Sequence, residues 1–337
     1  MNQRRRRIEA RLRLSRLAIG GWVAQTLFVA TKLGVFDALN RRGPSTAAEI
    51  ANELGTEADA TERLLLSLVA NDLLKRDADL FANGDAAEEF LISGTPESMA
   101  GWVRLHETWM DTFGSLEESV RTGEPASSLM NKEGTGTELT REYILGMHDY
   151  ALGPGRELAR YLDLEGRRRL LDVAGGPGTY AIMLAEANPG LSCTVFDLPE
   201  VVRIAEELVR RHDLAERVSV HPGDYTKDDF PVGFDVVLIS NALHQEDDDT
   251  CIEILKKTYG SLEPGGICVI QAMPLNETKD GPLWPTLVNL MLKVVSRGRA
   301  YTMSEYADQL DRAGFIEPKT GTMSTFNAGQ FIVARRP

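Results

Sequence analysis

Short apolar runs alternate with amphipathic stretches through the second half of the chain. Five of these runs have strand length: 170–173, 193–196, 218–222, 234–240 and 267–272. The run at 170–173 is typical of a strand buried on both faces of a parallel sheet. Residues with helical periodicity fill the intervals between the five runs. Two more short strands, near Ile316 and at 331–334, end the chain. The pattern predicts an α/β domain with a Rossmann-like, doubly wound and mostly parallel sheet of seven strands.

Helical periodicity dominates the first half of the chain. Apolar residues recur around most of a helix over 19–43, and a helix of this kind needs another surface to cover it. We interpret it as a dimer interface, with the core of a monomer as the alternative. Residues 44–91 predict a short helix that ends at Gly55, a second helix that begins at Asp59 or Thr61, and a hairpin. This order of elements outlines a winged helix.

The patterns divide the chain into a winged-helix-like dimerisation domain at 1–95, a helical connector at 96–164 and the α/β domain at 165–337. A winged helix is first interpreted as a DNA-binding module. The helix that would enter the groove, within 56–74, has one arginine, Arg63, against several acids, whereas DNA phosphates attract basic groups. A structural or dimerisation role is therefore favoured, and a regulator with a vestigial catalytic domain is the alternative of another class.

Composition narrows the possible partners. The net charge is −13, and 43% of the residues are apolar, which argues against a generic binder of nucleic acids or anionic membranes. The cysteines, Cys193, Cys251 and Cys268, are too far apart for a zinc motif and suit a reducing compartment. The chain has no apolar run long enough to span a bilayer and no secretory signal pattern. We expect a cytoplasmic protein with no nucleic-acid or membrane partner and no metal.

The first predicted strand of the α/β domain leads into a glycine-rich turn that contains Gly175, Gly176 and Gly178. A helix and a second strand follow, and Asp197 ends that strand about twenty residues after the turn. Glycines let the main chain approach a ligand closely, because no Cβ atom stands in the way. A carboxylate at the tip of the second strand can accept both hydroxyls of a ribose. The unit predicts a nucleotide-type site.

Two further strand ends add candidates to this site. Gly223, Asp224 and Tyr225 follow the third strand, and ligands of such sheets lie beyond the carboxyl ends of the strands. Asp224 suits the exocyclic amine of an adenine, and the ring of Tyr225 suits packing on the base. The alternative for Asp224 is a turn or cap residue. Since the other candidates stand at matching strand ends, we favour the ligand role.

Asp172 distinguishes between two cofactors. Residues 176–181 also satisfy the G-x-G-x-x-A form of the dinucleotide fingerprint, so a nicotinamide enzyme remains an alternative. Asp172, however, lies inside the first strand just before the glycines, where it would repel a pyrophosphate and attract an ammonium group. A ligand with an adenosine end and an amino-acid end is S-adenosylmethionine, which we favour.

Several motifs carry a resemblance that covers nearly the whole chain. They are L-D-V-A-G-G-P-G-T-Y at 171–180, V-F-D-L-P-E-V at 195–201, P-G-D-Y at 222–225, A-L-H at 242–244 before an acidic helix start, V-R-T-G-E-P-A at 120–126 and A-G-F at 313–315. In these the chain resembles the class I S-adenosylmethionine-dependent methyltransferases. The branch is the caffeate and hydroxyindole O-methyltransferase family, which includes bacterial natural-product enzymes. The resemblance implies the methyltransferase fold, secondary metabolism and a homodimer interlocked through the N-terminal domain.

The resemblance also implies roles for individual residues. Cofactor contacts would fall on Gly175, Asp197, Leu198, Asp224, Tyr225 and the main chain near Ser240. The general base would be His244, just past the fourth strand, where the alternative is a capping or pocket histidine. The expected reaction is in-line attack of a substrate hydroxyl on the sulfonium methyl group, while methylation of carbon or nitrogen, or non-methylation chemistry at the cofactor site, remains an alternative.

The chain departs from the family around His244. Plant members have two acids that orient the histidine, and the matching positions here are Gln271 and Ala300. Glu246 replaces a tryptophan. We expect Gln271 to hydrogen-bond the imidazole without stabilising imidazolium as a carboxylate would. The tryptophans and methionines of the chain indicate an aromatic or polycyclic acceptor, and the candidate pocket residues are Trp109, Met147, His148 and Asn289.

Overall fold

The computed structural model describes residues 3–127, 137–327 and 329–337. It divides the chain into two compact units, Met1–Thr108 and Trp109–Pro337. The first unit holds α1 (Gln3–Leu33), α2 (Val35–Arg42), β1 (Ser45–Thr46), α3 (Ala47–Leu54), α4 (Ala58–Ala70), β2 (Leu74–Asp77), β3 (Leu80–Asn83), α5 (Asp85–Phe90) and most of α6 (Ala100–Phe113).

The helices of the second unit after the end of α6 are α7 (Leu116–Thr122), α8 (Thr137–Tyr161), α9 (Thr179–Ala187), α10 (Pro199–Arg211), α11 (Asp248–Ser261), α12 (Leu283–Val295) and α13 (Met303–Arg312). Its strands are β4 (Arg169–Val173), β5 (Ser192–Asp197), β6 (Val218–Pro222), β7 (Phe234–Ser240), β8 (Leu262–Ala272), β9 (Ile316–Thr322) and β10 (Gln330–Arg335). A single 3₁₀ turn, Leu243–Gln245, follows β7.

The first unit packs short helices against a three-stranded antiparallel sheet in the order β1-β3-β2. A capping box between Thr46 and Glu49 starts α3. The start of α4 was predicted at Asp59 or Thr61, but the helix begins earlier. The reason is that the side chain of Glu57 accepts hydrogen bonds from the first amides of α4 and so caps it.

The apolar helix predicted over 19–43 has different bounds in the structure. A single helix runs from Gln3 to Leu33, and Gly34, with φ 79°, turns the chain into α2. Large apolar side chains stand exposed along α1, and Trp22 is 78% exposed. Among the described residues no single helix is long and apolar enough to cross a bilayer, although α1 and α2 together meet the length and composition test as a pair bent by 54°.

The second unit is built on a seven-stranded sheet in the order β6-β5-β4-β7-β8-β10-β9. Strands β4 to β8 run parallel, and β10 pairs antiparallel with both β8 and β9. The predicted doubly wound, mostly parallel sheet is confirmed. The carboxyl ends of five adjacent strands therefore meet at one edge, with β4 in the middle of them and β7 between β4 and β8.

Two apolar layers sandwich this sheet. Leu170 of β4 belongs to the layer formed with α8, α9 and α10, and its neighbour Leu171 belongs to the layer with α11 and α13. Burying one such leucine stabilises the fold by about 1.5–3 kcal/mol. Strand β8 begins five residues before the predicted 267, because Leu262 already pairs with Phe234 across a register shift. The central strands are thus held from both faces.

Candidate active site

The glycine turn between β4 and α9 has room only for glycine at critical positions. A Cβ atom on Gly175 would lie 2.8 Å from the carboxyl carbon of Asp172, and Gly176 and Gly178 have φ of 55° and 72°. The helix after the turn begins at Thr179, as the sequence predicted. The turn therefore exposes main chain directly at the carboxyl edge of the sheet.

Asp172 is fully buried beneath this turn. By distance and angle, neither of its carboxyl oxygens accepts a hydrogen bond from the described residues, although the nearby backbone amide of Ala181 acts to lower its pKa. Burial, and then the negative charge of Asp197, raises the pKa of Asp172 to about 7. An unpaired buried carboxyl is costly, so the position suits a ligand group that is cationic and donates hydrogen bonds.

Asp197 is tied to the glycine turn. Its Oδ2 accepts a hydrogen bond from the amide of Gly176 at 2.7 Å, and its Oδ1 accepts one from the amide of Leu198 at 2.7 Å. Burial nevertheless raises the pKa of Asp197 to about 6. Each oxygen keeps a lone pair for a further donor, such as a sugar hydroxyl. The twenty-residue interval in the sequence thus corresponds to a direct contact.

The turn after β6 presents Asp224 differently from the expectation. Its Oδ1 accepts from the amide and the hydroxyl of Thr226 at 2.9 and 2.6 Å, and its Oδ2 accepts from Lys227 Nζ at 2.7 Å. Although burial acts to raise it, these bonds lower the pKa of Asp224 to about 2. The carboxylate closes its own turn, as in the alternative interpretation, and only its remaining lone pairs can meet a ligand. A Cβ on Gly223 would lie 2.3 Å from the ring of Phe196.

Gln271 lies at the centre of a hydrogen-bond cluster on the neighbouring strands. It is fully buried on β8, and its Oε1 accepts from Ser240 Oγ, Asn241 Nδ2 and Tyr180 Oη at 2.6, 2.7 and 2.9 Å. The described residues show no hydrogen bond between Gln271 and His244. This corrects our expectation that Gln271 hydrogen-bonds the imidazole, because its oxygen accepts from three other donors and its amide nitrogen donates to the carbonyl of Ala272 at 3.4 Å.

His244 stands on the 3₁₀ turn immediately after β7, and its side chain is half-buried. Burial lowers the pKa of His244 to about 4, so the ring is neutral at physiological pH. Within the part of the chain that the structure describes, the imidazole has no hydrogen bond or ion pair. Both ring nitrogens therefore stay available to a ligand, and one of them is an acceptor.

The backbone around His244 is fixed by residues that the sequence did not single out. Cys251 Sγ donates to the carbonyl of Leu243 at 3.1 Å, and Tyr301 Oη donates to the carbonyl of Glu246 at 2.8 Å. A Cβ on Gly298 would lie 2.2 Å from the carbonyl oxygen of His244. No spacing rule could reveal these contacts, because the residues come from α11 and from the segment between α12 and α13.

The four predicted pocket residues have different environments. His148 Nδ1 is 2.8 Å from the hydroxyl of Thr179, so this histidine lies against the first residue of α9. Asn289 Oδ1 accepts from the amide of Ala300 at 2.9 Å. Met147 and Trp109 are half-buried. Two of the four are therefore engaged in bonds that support the framework.

The sequence patterns did not predict an aromatic cluster that lies past the carboxyl end of β8. Met273 Sδ accepts from Tyr150 Oη at 2.7 Å and from Trp284 Nε1 at 3.1 Å. Phe326 meets both rings edge-on, at centroid distances of 5.8 and 6.3 Å. Asn327, fully buried, donates to Tyr150. Helices α8 and α12 and the β9–β10 loop supply these side chains, which is why no local pattern predicted the cluster.

The arrangement provides three functional parts at one edge of the sheet. β4, β5 and β6 carry the glycine turn and the acids, β7 leads to a neutral histidine, and β8 leads to an aromatic wall. Within the described residues no three His, Cys, Asp or Glu side chains are grouped as a metal site requires. The chemistry that this edge offers is acid–base chemistry beside a site for a cationic nucleotide-like ligand.

Known proteins share this architecture. A 3-hydroxy-5-methyl-1-naphthoate 3-O-methyltransferase from Streptomyces sahachiroi is 34% identical over 314 residues, covering 91% of this chain and 90% of that enzyme. A 3-amino-4-hydroxybenzoate 4-O-methyltransferase from Streptomyces cremeus is 31% identical and covers 90% of this chain and 84% of that enzyme. The crystal structure of human N-acetylserotonin methyltransferase with S-adenosylmethionine matches with a TM-score of 0.90 at 27% identity, covering 100% of this chain and 98% of that chain.

Family comparison agrees with these relatives. Residues 15–93 match the O-methyltransferase dimerisation domain, and residues 106–316, more than half of the chain, match the O-methyltransferase domain. The resemblance seen in the motifs is therefore confirmed, and so is S-adenosylmethionine as the cofactor. The chain belongs to the O-methyltransferase family and is an S-adenosylmethionine-dependent methyltransferase.

Proposed function

We propose that this enzyme methylates a hydroxyl group of an aromatic small molecule and that His244 is the general base. The observation that carries the proposal is the neutral imidazole of His244, with its pKa near 4 and no hydrogen-bond partner among the described residues. It follows β7, which lies in the sheet between the strands of the acidic cofactor residues and the strand that leads to the aromatic wall.

The residues at the carboxyl edge fit the cofactor. Asp172, buried and unpaired, would hold the ammonium group of the amino-acid end, and Asp197 has lone pairs left for the ribose. Tyr225 and the backbone near Gly223 and Ser240 would bound the adenine and the methionine end. When bound, S-adenosylmethionine supplies a methyl group on a positively charged sulfur.

His244 would remove the proton that the acceptor hydroxyl loses as its oxygen gains the methyl group. An imidazole held neutral is ready to accept a proton, and a positioned base contributes typically about 10²–10⁴-fold. Since its pKa is about 4, and neither Gln271 nor Ala300 offers a charge to stabilise imidazolium, His244 is a weak base. A weak base suits an acidic hydroxyl, such as a phenol with a pKa of about 10, better than an aliphatic alcohol.

Two further observations support an aromatic acceptor. In the wall formed by Tyr150, Met273, Trp284 and Phe326, the ring of Phe326 is exposed and that of Trp284 is half-buried, and such rings pack well on flat apolar molecules. The relatives named above act on a naphthoate, a hydroxybenzoate and N-acetylserotonin, all of which are aromatic. We include the pocket candidates Trp109, Met147, His148 and Asn289 in the proposal as surroundings of this acceptor site.

We also propose the assembly and setting of the enzyme. The N-terminal unit, a winged-helix-like module, would form a homodimer, which is supported by the dimerisation-domain match and by the exposed apolar side chains of α1. The domain boundaries 1–95, 96–164 and 165–337 remain our division. Three free, buried cysteines support a reducing, cytoplasmic compartment, and aromatic acceptors of this type support secondary metabolism.

The proposal is tested in two steps. Calorimetric titration with S-adenosylhomocysteine measures binding, and the absence of binding at millimolar concentration would overturn the cofactor assignment. A panel of phenols, anilines and aliphatic alcohols is then incubated with methyl-labelled S-adenosylmethionine, and the methylated atom is identified by NMR. We expect oxygen methylation of a phenol, whereas methylation only of nitrogen or carbon would refute the hydroxyl acceptor.

A further inference from the structure

Two loops of the candidate site are joined by one hydrogen bond between side chains. Tyr225, on the turn after β6, donates its hydroxyl hydrogen to Glu246 Oε1 at 2.7 Å. Glu246 follows His244 by two residues on the loop after β7. The bond therefore connects the expected adenine side of the site to the segment that carries the proposed base, although β6 and β7 are separated in the sheet by two other strands.

Each partner is otherwise anchored through its backbone. Lys257 Nζ donates to the carbonyl of Tyr225 at 2.5 Å, and the tyrosine ring packs against the apolar layer below the sheet. The carbonyl of Glu246 accepts from Tyr301 at 2.8 Å. The two backbones are thus fixed independently of each other, and the tyrosine–carboxylate bond joins the two side chains.

The electrostatics favour a persistent bond. Burial, and then the negative charge of Glu246, holds the pKa of Tyr225 well above its usual range, so its hydroxyl remains a donor. A hydrogen bond to a carboxylate is short and roughly twice as strong as a neutral one. The tryptophan that the family resemblance places at position 246 offers no acceptor, so a tyrosine at 225 could not be held in this way by that residue.

We propose that Glu246 is a positioning residue that fixes the ring of Tyr225 for the adenine and couples occupation of the cofactor site to the His244 loop. This inference rests on the proposed function of the site. Because coupling between two parts of a protein is reciprocal, a ligand that orders the tyrosine ring also orders residues 243–247 through the carboxylate. The structure thereby assigns a role to a residue that departs from the family pattern.

A double-mutant cycle tests the proposal on the full-length protein. Tyr225→Phe, Glu246→Ala and the double variant are titrated with S-adenosylhomocysteine by calorimetry. We expect each single variant to weaken binding by about three- to tenfold, and the double variant to bind no more weakly than the worse single variant, because both remove the same bond. Effects that multiply in the double variant would overturn the inference.

Conservative and control variants separate positioning from charge and from folding. Glu246→Gln keeps an oxygen acceptor, so we expect affinity within about twofold of the wild type. Glu253→Ala removes an exposed carboxylate on α11 that pairs with Lys256, and the affinity of this variant should not change. If Glu246→Ala does not fold, Tyr225→Phe alone removes the same bond, and an affinity equal to that of the wild type would then overturn the inference. Loss of affinity in Glu253→Ala equal to that in Glu246→Ala would refute positioning.

Amide hydrogen exchange distinguishes coupling through Glu246 from a purely structural role of this residue. In the wild type, S-adenosylhomocysteine should slow exchange at 243–247 at least threefold, by the reciprocity stated above. In Glu246→Ala at saturating ligand this protection should disappear, while protection at the glycine turn remains. Unchanged protection at 243–247 would refute the coupling. A wild type that binds no S-adenosylhomocysteine would instead refute the proposed function itself.

Discussion

Replacing Asp172 by asparagine should stabilise the enzyme at high pH while weakening its cofactor site. The carboxyl group is fully buried, and neither oxygen has a partner among the described residues. Its pKa is about 7 in the folded chain, against an ordinary value of 3.8. Ionisation is therefore easier in the unfolded chain, and stability is highest below the unfolded pKa and falls as the pH rises between the two values.

The magnitude follows from these two pKa values. One pKa unit corresponds to about 1.36 kcal/mol. With pKa values of about 7 and 3.8, the ionisable group lowers the free energy of unfolding by roughly 2 kcal/mol at pH 5 and roughly 4 kcal/mol at pH 8. Asparagine removes this dependence but leaves an unpaired amide, which costs about 1–3 kcal/mol at every pH. The change in free energy of unfolding between pH 5 and pH 8 should thus differ by about 2–3 kcal/mol between wild type and variant.

Urea denaturation of the ligand-free proteins at pH 5 and pH 8 measures this difference. Calorimetric titration with S-adenosylhomocysteine supplies the second half of the test. Because an ammonium group needs the ionised carboxylate, wild-type affinity should rise with pH up to about 7 and binding should release protons, whereas Asp172→Asn should bind weakly at both values. The variant is thus expected to be more stable than the wild type at pH 8 but to bind the cofactor more weakly.

The control is Asp249→Asn, since Asp249 has 98% of its side chain exposed. This variant should keep the pH dependence of the wild type in both experiments. The reasoning is refuted if Asp172→Asn and the wild type show the same change in free energy of unfolding between pH 5 and pH 8. It is also refuted if the variant binds S-adenosylhomocysteine as tightly as the wild type at pH 8.

Three more predictions concern the residues around the base. His244→Ala should lower kcat about 10²–10⁴-fold and leave the Kd for S-adenosylhomocysteine within about twofold of the wild-type value. The kcat of the wild type should be constant above pH 5 and fall below pH 4, where the imidazole is protonated. Unchanged turnover in His244→Ala would show that His244 is not the base. Gly298→Ala should lower kcat at least about tenfold by displacing the His244 carbonyl, whereas Gly260→Ala, which has open space, should not. Gln271→Ala should lower the free energy of unfolding, measured in urea, by about 2–4 kcal/mol, because it leaves three donors without their acceptor. A loss of less than about 1 kcal/mol would contradict the inference that this hydrogen-bond cluster stabilises the fold.

The backbone of the site could be predicted because its signals are local. Apolar runs set the parallel strands, and glycines mark the turn where a Cβ on Gly175 would collide with Asp172. The sequence interval between the turn and Asp197 predicted that the two lie close together, and in the structure Asp197 accepts a hydrogen bond from the amide of Gly176. In each case the residues belong to one βαβ unit, whose geometry is nearly fixed by its length and handedness.

Side-chain partners drawn from distant segments could not be predicted. Gln271 was assigned to His244 by its position on the strand, but Tyr180 from α9 and two residues at the end of β7 converge on its oxygen. Met273 gains its two donors from α8 and α12. Which donor reaches an acceptor depends on helix packing and rotamers, and neither leaves a periodic trace in the sequence.

The strand order has a consequence for how this enzyme can diversify. The acids and glycines stand at the ends of β4, β5 and β6, whereas Met273, Trp284 and Phe326 of the aromatic wall lie in the segments after β8 and before β10, on the other side of β7. Substitutions in Trp284 or Phe326 therefore change surfaces that share no strand with the glycine turn. A library of variants at the acceptor site can therefore be made without changing the residues of the nucleotide site. The turn after β7 lies between the two groups of residues and would be kept constant.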